Sequence, residues 1–368
     1  MTAPLDTLYR LIQPIVFRVD AERAHDLVGT VLAACPPAWL RWLTGAGIAP
    51  DPVLSIEVAG LTFSHPFGIA AGFDKQARLI HACGALGVSH VEIGTVTPRA
   101  QPGNPRPRMF RIPRDHAVIN RLGFNSVGAA VVAGTLHRAR HRQTPQLPRI
   151  GVNIGKNRDT PLERACDDYL IAFDALASDA DYIAVNISSP NTPGLRQLHE
   201  RAALRTLLDA LVERRRHLPR HVPLFLKVSP DERDAQLRQV VDVALDSGID
   251  GLIATNTTLA RDGLSVPVNH AGGLSGRPLR ARARRTIAVL ATMTEGRVPI
   301  IGVGGVDDAA SAYAHIRAGA HLVQCYTGLI YQGPGLPTRL VRDLAGLLRA
   351  DGFSTLREAI GVDRERWS

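Results

Sequence analysis

From Leu54 onward, short apolar runs of strand type alternate with stretches of helical periodicity, and eight such runs follow one another. They are Phe67 to Ala71, His90 to Thr95, Arg149 to Ile154, Tyr182 to Ile187, Pro223 to Val228, Gly251 to Thr255, Val298 to Val303 and His321 to Tyr326. Nearly continuous apolar runs of this length suit strands buried on both faces, as in a parallel sheet. Helical patterns fall between most of them, for example Asp231 to Asp246 and Asp307 to Ala318, and a short hairpin over Ser55 to Phe63 comes first. The chain is therefore expected to be α/β, a (β/α)8 TIM barrel. An open doubly wound sheet fits less well, because polar clusters recur after nearly every strand and do not gather at one switch point.

Residues 1–50 have a different character. Leu5, Leu8, Tyr9, Ile12, Ile15, Val16 and Val19 recur at helical spacing despite Pro14, which should bend the helix. A second helix is expected from an N-cap at Asp20, with Ala24, Leu27, Val28, Val31 and Leu32 on one side, and Pro36-Pro37 should stop it. Trp39, Leu40, Trp42 and Leu43 form a third short piece. This amphipathic extension reads either as a helical hairpin packed on the main domain or as a monotopic membrane contact, its inner side an apolar entry for a lipid. Residues 51–368 form the barrel domain. At 45% hydrophobic and 21% charged residues, 368 residues suffice for one large core plus an appendage.

The formal charge of +9 permits attraction to anionic lipid, nucleic acid or acidic metabolites without choosing among them. Cys35, Cys83, Cys166 and Cys325 make no C-x-x-C pair, so core thiols in a reducing setting are expected, with no structural metal. Neither a secretory signal nor a spanning helix is expected: the best candidate, Leu27 to Leu43, is broken by Pro36-Pro37 and carries Arg41.

Hydrogen-bonding residues collect where the strands should end. Lys75, Thr95, Asn153, Asn186, Lys227, Thr255 and Asn256 all fall there. The segment Asn186 to Gly194 packs two Asn, two Ser and a Thr into one Pro- and Gly-stiffened loop. A structural turn needs only the Pro and Gly, so this loop points to a binding site at the barrel mouth. Small residues in Ile301-Gly-Val-Gly-Gly305, Tyr326-Thr-Gly328 and Gly272-Gly-Leu-Ser-Gly276 would let backbone N–H groups approach an anion. No Walker lysine pattern or strand-linked G-x-G-x-x-G appears, which leaves a phosphate-bearing cofactor inside a barrel.

At this level of detail the chain resembles the dihydroorotate dehydrogenases, specifically the class 2, quinone-linked form. The likeness rests on Ala70-Ala-Gly-Phe-Asp-Lys75, Glu92-Ile-Gly-Thr-Val-Thr-Pro98, Asn120-Arg-Leu-Gly-Phe-Asn125, Gly151-Val-Asn-Ile-Gly-Lys-Asn157, Asn186 to Arg196, Ala254-Thr-Asn-Thr-Thr258, Gly272 to Pro278 and Ile301 to Gly305. It implies an FMN-bearing barrel that oxidises (S)-dihydroorotate to orotate in pyrimidine synthesis. The electrons would pass to a membrane quinone from a peripheral position on the cytoplasmic face, beside an anionic membrane surface. No nucleic acid and no obligate protein partner are implied.

The resemblance also implies roles. Ser189 matches the catalytic base, with Thr192 and Phe124 shaping its proton path. Lys75, Asn120, Arg121, Leu122, Gly123, Phe124, Asn186, Asn191, Asn256 and Thr257 match the substrate site. Amide side chains suit a cyclic imide because they both donate and accept, and Lys75 supplies a cation for its carboxylate. FMN contacts would fall on Ala71, Gly72, Phe73, Asp74, Lys75, Thr95, Asn153, Asn186, Lys227, Thr255, Gly276, Gly305, Tyr326 and Thr327, with Lys227 near the flavin's N1–C2 edge. The quinone pocket would fall on His25, Arg111 and Tyr326.

Class 2 follows from a Ser base where class 1 enzymes use Cys, from the helical extension, and from the lack of an iron–sulfur cysteine cluster. Ala100 and Phe73 depart from the family's usual Pro and Leu, at positions that do no chemistry. A dihydrouridine synthase, another FMN barrel, would need a cysteine acid near the flavin, and the loop Asn186 to Gly194 has none.

Overall fold

The computed structural model describes residues 4–46, 49–142, 147–191 and 195–368. Three helices lead: α1 (Pro4–Val16), α2 (Ala21–Ala34) and α3 (Pro37–Thr44). The strands follow as β1 (Ile56–Val58), β2 (Leu61–Phe63), β3 (Phe67–Asp74), β4 (His90–Val96), β5 (Met109–Ile112), β6 (Ala117–Asn120), β7 (Arg149–Ile154), β8 (Tyr182–Asn186), β9 (Leu224–Val228), β10 (Gly251–Ala254), β11 (Gly273–Gly276), β12 (Ile300–Val303) and β13 (Leu322–Cys325). Eight of them close a parallel barrel in the order β3-β4-β7-β8-β9-β10-β12-β13, which is the expected set.

Barrel closure depends on glycine beside bulk. A Cβ on Gly68 would stand 2.4 Å from the His90 ring, one on Gly151 2.0 Å from Tyr182, and one on Gly251 2.2 Å from Phe225. The missing side chain on one strand thus makes room for a ring on its neighbour, the layered filling that a packed barrel interior needs.

The extra sheet was not foreseen. β5, β6 and β11 pair antiparallel, with Gly273 opposite Asn120 and Gly276 opposite Ala117. Gly272 to Gly276, expected as a loop, is therefore largely a strand. It has little room for side chains where it crosses the mouth, since a Cβ on Gly273 would fall 1.9 Å from Thr257 Oγ1.

In the extension, Asp20 caps α2 by accepting the Arg23 N–H at 3.0 Å, and α2 ends before Pro36-Pro37 as expected. Pro14 stands in the last turn of α1, so the helix stops at Val16 and the stripe does not continue helical to Val19. Buried Asp6 accepts from Gly335 N at 3.0 Å and pairs with Arg339, while Tyr9 bonds the carbonyl of Ile330 and Gln13 that of Tyr331 at 3.0 Å. The side facing the barrel thus combines these polar contacts with apolar packing, as of Leu40 on Ala82 and Ala85. Leu8, Leu11, Ile15, Leu27, Val31, Trp39 and Trp42 instead project into solvent. Among the described residues no helix is long and apolar enough to cross a membrane.

Candidate active site

The carboxyl ends of the barrel strands surround a cavity of about 1110 Å³ of non-atom space, part of it open to solvent, roofed by β6 and β11. Its floor is an amide and carboxylate network. Glu92 on β4 is fully buried and accepts from Asn153 Nδ2 at 2.8 Å, Lys227 Nζ at 3.2 Å and Gln324 Nε2 at 3.2 Å. Asn153 Oδ1 in turn accepts from Thr95 Oγ1 at 2.5 Å and Asn186 Nδ2 at 3.1 Å. Burying a carboxylate is costly unless donors surround it, and here the lysine and two amides do so. The Lys227 ammonium reaches the cavity wall from this network.

Above the floor, Asn256 Nδ2 donates to Asn186 Oδ1 at 3.2 Å and Ser188 Oγ at 3.1 Å, and its Oδ1 accepts the Thr257 N–H at 2.8 Å. Asn191 Nδ2 donates to the Asn120 carbonyl at 3.2 Å, which ties the Ser189 loop to β6. Ser189 is buried in the cavity wall, and its hydroxyl accepts the Asn191 N–H at 3.3 Å. Lys75 Nζ donates to Asn125 Oδ1 at 3.0 Å. Burial pushes the Lys75 ammonium down to about 8, with nearby Glu22 partly opposing the shift.

Most of the expected site residues meet at this cavity. Ala71, Gly72, Lys75, Thr95, Asn186, Lys227 and Thr255 line it, as do Gly276, Gly305, Tyr326 and Thr327. So do Asn120, Leu122, Gly123, Phe124, Ser189, Asn191, Asn256 and Thr257. Four do not. Asn153 lies beneath the wall in the Glu92 network. Asp74 turns its carboxylate onto the N–H groups of Gln76, Arg78 and Leu79, where it caps a turn. The Phe73 ring points away toward His25 and Tyr326. Arg121 leans outside over Phe110 and donates to the Pro107 carbonyl at 2.9 Å. Thr192 lies outside the described residues.

His25 and Tyr326 meet, Nδ1 to hydroxyl at 3.5 Å, with Phe73 edge-on to both rings. Burial holds the His25 imidazole down at about 4, so it is neutral at physiological pH. Arg111 goes elsewhere: it donates to the carbonyls of Val16 and Val19 and covers the Phe17 ring, closing the end of α1.

Sequence reasoning missed Glu92, Gln324 and, most consequentially, Glu22. The Glu22 carboxylate is buried on α2 and binds Arg108 Nη2 at 2.6 Å and Nε at 3.0 Å, and Arg106 Nη2 at 3.0 Å. Arg108 also holds the carbonyls of Pro102 at 2.6 Å and Asn104 at 2.8 Å, and Asn104 Nδ2 donates to the Arg121 carbonyl at 2.9 Å. A continuous polar link therefore runs from α2 to the strand that roofs the cavity. An acidic residue just after an N-cap reads as helix-dipole compensation, so the sequence offered no signal for this role.

Burial pushes the Glu22 carboxyl up, but Arg108 and Arg106 more than offset it and hold it below the usual carboxylate range. Its stabilisation is thus complete above the unfolded value near pH ~4.3 and is lost as pH falls through the lower folded value. Glu22→Gln should cost about 1.5–3 kcal/mol by weakening charge-assisted hydrogen bonds. Chemical denaturation at pH 7 checks this, and an unchanged midpoint would contradict the assigned link.

Cavity and wall fit a phosphate-bearing aromatic cofactor. The N–H groups of Gly304, Gly305, Thr327 and Gly328 meet no acceptor among the described residues, although all four residues line the cavity. Gln324 Oε1 is buried without a partner in the same wall. At Gly305, φ is +76° and a Cβ would stand 2.5 Å from Arg280 Cβ, so only glycine fits. Of the cysteines, Cys83 and Cys325 are buried and Cys35 and Cys166 half-buried. Cys325 lines the cavity, but burial pushes its thiol up to about 12 and keeps it protonated.

Comparison with known proteins agrees with this geometry. The family model described as dihydroorotate dehydrogenase matches residues 53–348. A dihydroorotate dehydrogenase (quinone) from Roseiflexus sp. (strain RS-1) is 55% identical over 361 residues, covering 97% of this chain and 99% of that protein. The protein of the same name from Roseiflexus castenholzii is 56% identical, with 97% of each chain covered. The crystal structure of the Eimeria tenella enzyme in complex with ferulenol superposes with a TM-score of 0.84 at 38% identity, over 95% of this chain and 98% of that one.

Proposed function

This chain belongs to the dihydroorotate dehydrogenase family, and on that premise we propose that it oxidises (S)-dihydroorotate to orotate with FMN as prosthetic group and a quinone as electron acceptor, a step of pyrimidine biosynthesis. The observation that carries the reading is the convergence of Ser189, Lys75, Lys227 and the amides of Asn120, Asn186, Asn191 and Asn256 on one cavity. FMN, when bound, would supply the two-electron redox chemistry between substrate and quinone.

The chain's own residues do the rest. The free N–H groups of Gly304, Gly305, Thr327 and Gly328 suit the cofactor's phosphate. Lys227, which donates to Glu92 at 3.2 Å and lines the cavity, would hold the flavin ring of a bound FMN. The substrate's imide edge meets amides already oriented by one another, so little ordering is required on binding. Lys75 pairs with its carboxylate. Ser189, buried in the cavity wall, takes the proton from the carbon beside the ring carbonyl and, being a poor base in water, gives up its own hydroxyl proton toward solvent as it does so.

Residues 1–50 serve as the membrane-contacting, quinone-admitting segment and residues 51–368 as the catalytic domain, peripheral to the membrane on its cytoplasmic face. The neutral His25, the Tyr326 hydroxyl and Phe73 form the inner end of the quinone path. The outward apolar side chains of α1 to α3 support the membrane contact.

Dihydroorotate-dependent reduction of a short-chain ubiquinone analogue tests the reading, with Lys75 providing a signature. Lys75 binds a carboxylate only as a cation, and that cation is lost as pH rises through about 8. At pH 9 about a tenth of it remains charged, so kcat/KM should fall about tenfold from pH 7 to pH 9, chiefly through KM. Absence of turnover would overturn the function, whereas turnover with a flat profile would remove only Lys75 from substrate binding.

A further inference from the structure

We propose that His137, His141 and Asp179 form a binding site for one divalent transition-metal ion of the zinc, nickel or copper class, on the outside of the barrel. His137 and His141 stand one turn apart on the helix Ala129–His141, so they share a face. Their ring centroids are 4.3 Å apart. Asp179 follows the helix Ala165–Leu176 and faces both, with Oδ2 3.0 Å from His137 Nδ1 and Oδ1 3.6 Å from His141 Nε2. One ligand atom from each residue fits within a 4.8 Å span.

Tetrahedral coordination at bond lengths of ~2.1 Å requires ligand atoms about 3.4 Å apart, and the two His–Asp distances, 3.0 and 3.6 Å, each to a different carboxylate oxygen, lie on either side of that value. Both imidazoles are 63% exposed, so they can make the remaining small rotation and leave further positions to water, while the Asp179 carboxylate is only 19% exposed and better fixed. Two imidazoles and one carboxylate favour zinc, nickel or copper over magnesium or calcium. Neighbouring guanidinium groups have acceptors of their own: Arg140 pairs with Asp181 at 2.9 Å, Arg138 donates to Thr135 at 3.3 Å, and Arg220 donates to the carbonyl of Ser178 at 3.1 Å.

The position indicates what the ion would do. Asp179 lies just before β8 begins at Tyr182, at the amino-terminal end of the barrel and away from the cavity at the strands' carboxyl ends. Residues at that face serve stability. An ion there would join two outer helices and stabilise the fold, because it binds the native arrangement and not the unfolded chain, and it would leave turnover unchanged.

Calorimetric titration of tag-free, full-length protein with zinc, nickel and magnesium chlorides tests this. One equivalent of zinc or nickel should bind saturably and raise the thermal midpoint, and magnesium should do neither. His137→Asn, His141→Asn and Asp179→Asn should each weaken zinc at least tenfold while the circular dichroism spectrum and dehydrogenase activity stay unchanged. On the wild-type protein, zinc should protect both histidines from diethyl pyrocarbonate, read by peptide mass, which keeps the test independent of any variant's folding. Failure of the wild type to bind saturably, wild-type affinity in the doubly substituted protein, or unprotected histidines would each overturn the proposal.

Discussion

Ser189→Ala should bind its flavin with an ordinary yellow spectrum and yet be reduced by dihydroorotate about 10²–10⁴-fold more slowly than the wild type, the range set by loss of one positioned proton acceptor. Cofactor binding should survive because the Ser189 hydroxyl takes part in neither the Glu92 network nor the free N–H groups at Gly304 and Gly305; its hydrogen bond is to the Asn191 N–H. Losing that bond costs little. KM should change far less than the rate, since Lys75 and the asparagine amides hold the substrate. Anaerobic stopped-flow absorbance reads the effect directly, and a rate within a few-fold of wild type would place proton removal on another group.

The second large effect concerns the membrane. Leu11, Leu27, Trp39 and Trp42 are 62–75% exposed, far more than large apolar side chains keep without reason. Changing all four to Ser should lower partition onto anionic vesicles by about four orders of magnitude, at ~1.5 kcal/mol per side chain buried in the interface. Reduction of the flavin by dihydroorotate should be unaffected. Co-sedimentation checks the first half, and a variant that still pellets with vesicles would show that another surface makes the contact. Deleting residues 1–50 is a poorer test, because removing Glu22 takes the carboxylate from Arg108, which also holds the Asn104 carbonyl, and so cuts the link to the strand over the cavity.

The barrel was legible because its signal is local and repeated: each of the eight strands is an apolar run bounded by turn residues, and only their ends shifted, most at β3, which runs on from Ala71 to Asp74. The site residues at strand ends were legible for the same reason. Once the barrel was inferred, Asn186, Lys227 and Thr255 had to face one mouth. Hidden features were those that depend on partners distant in sequence. β11 pairs with β6 across more than 150 residues, as Gly273 with Asn120 shows, so no local pattern marks that pairing, and the hairpin of β5 and β6 offers only two short runs, Met109–Ile112 and Ala117–Asn120. The Glu22–Arg108 pair is the same kind of case. Asp74 misled for the opposite reason: an acid within a flavin-contacting motif looked like a ligand, but three backbone N–H groups a few residues on claim its carboxylate.

The visible absorption spectrum of the purified protein, before and after anaerobic dihydroorotate, tests the central claim most directly. A bound flavin near one equivalent, bleached by substrate and restored by a quinone analogue, is the expected result. Colourless protein that takes up no FMN, or a flavin that dihydroorotate leaves oxidised, would contradict the assignment of the cavity.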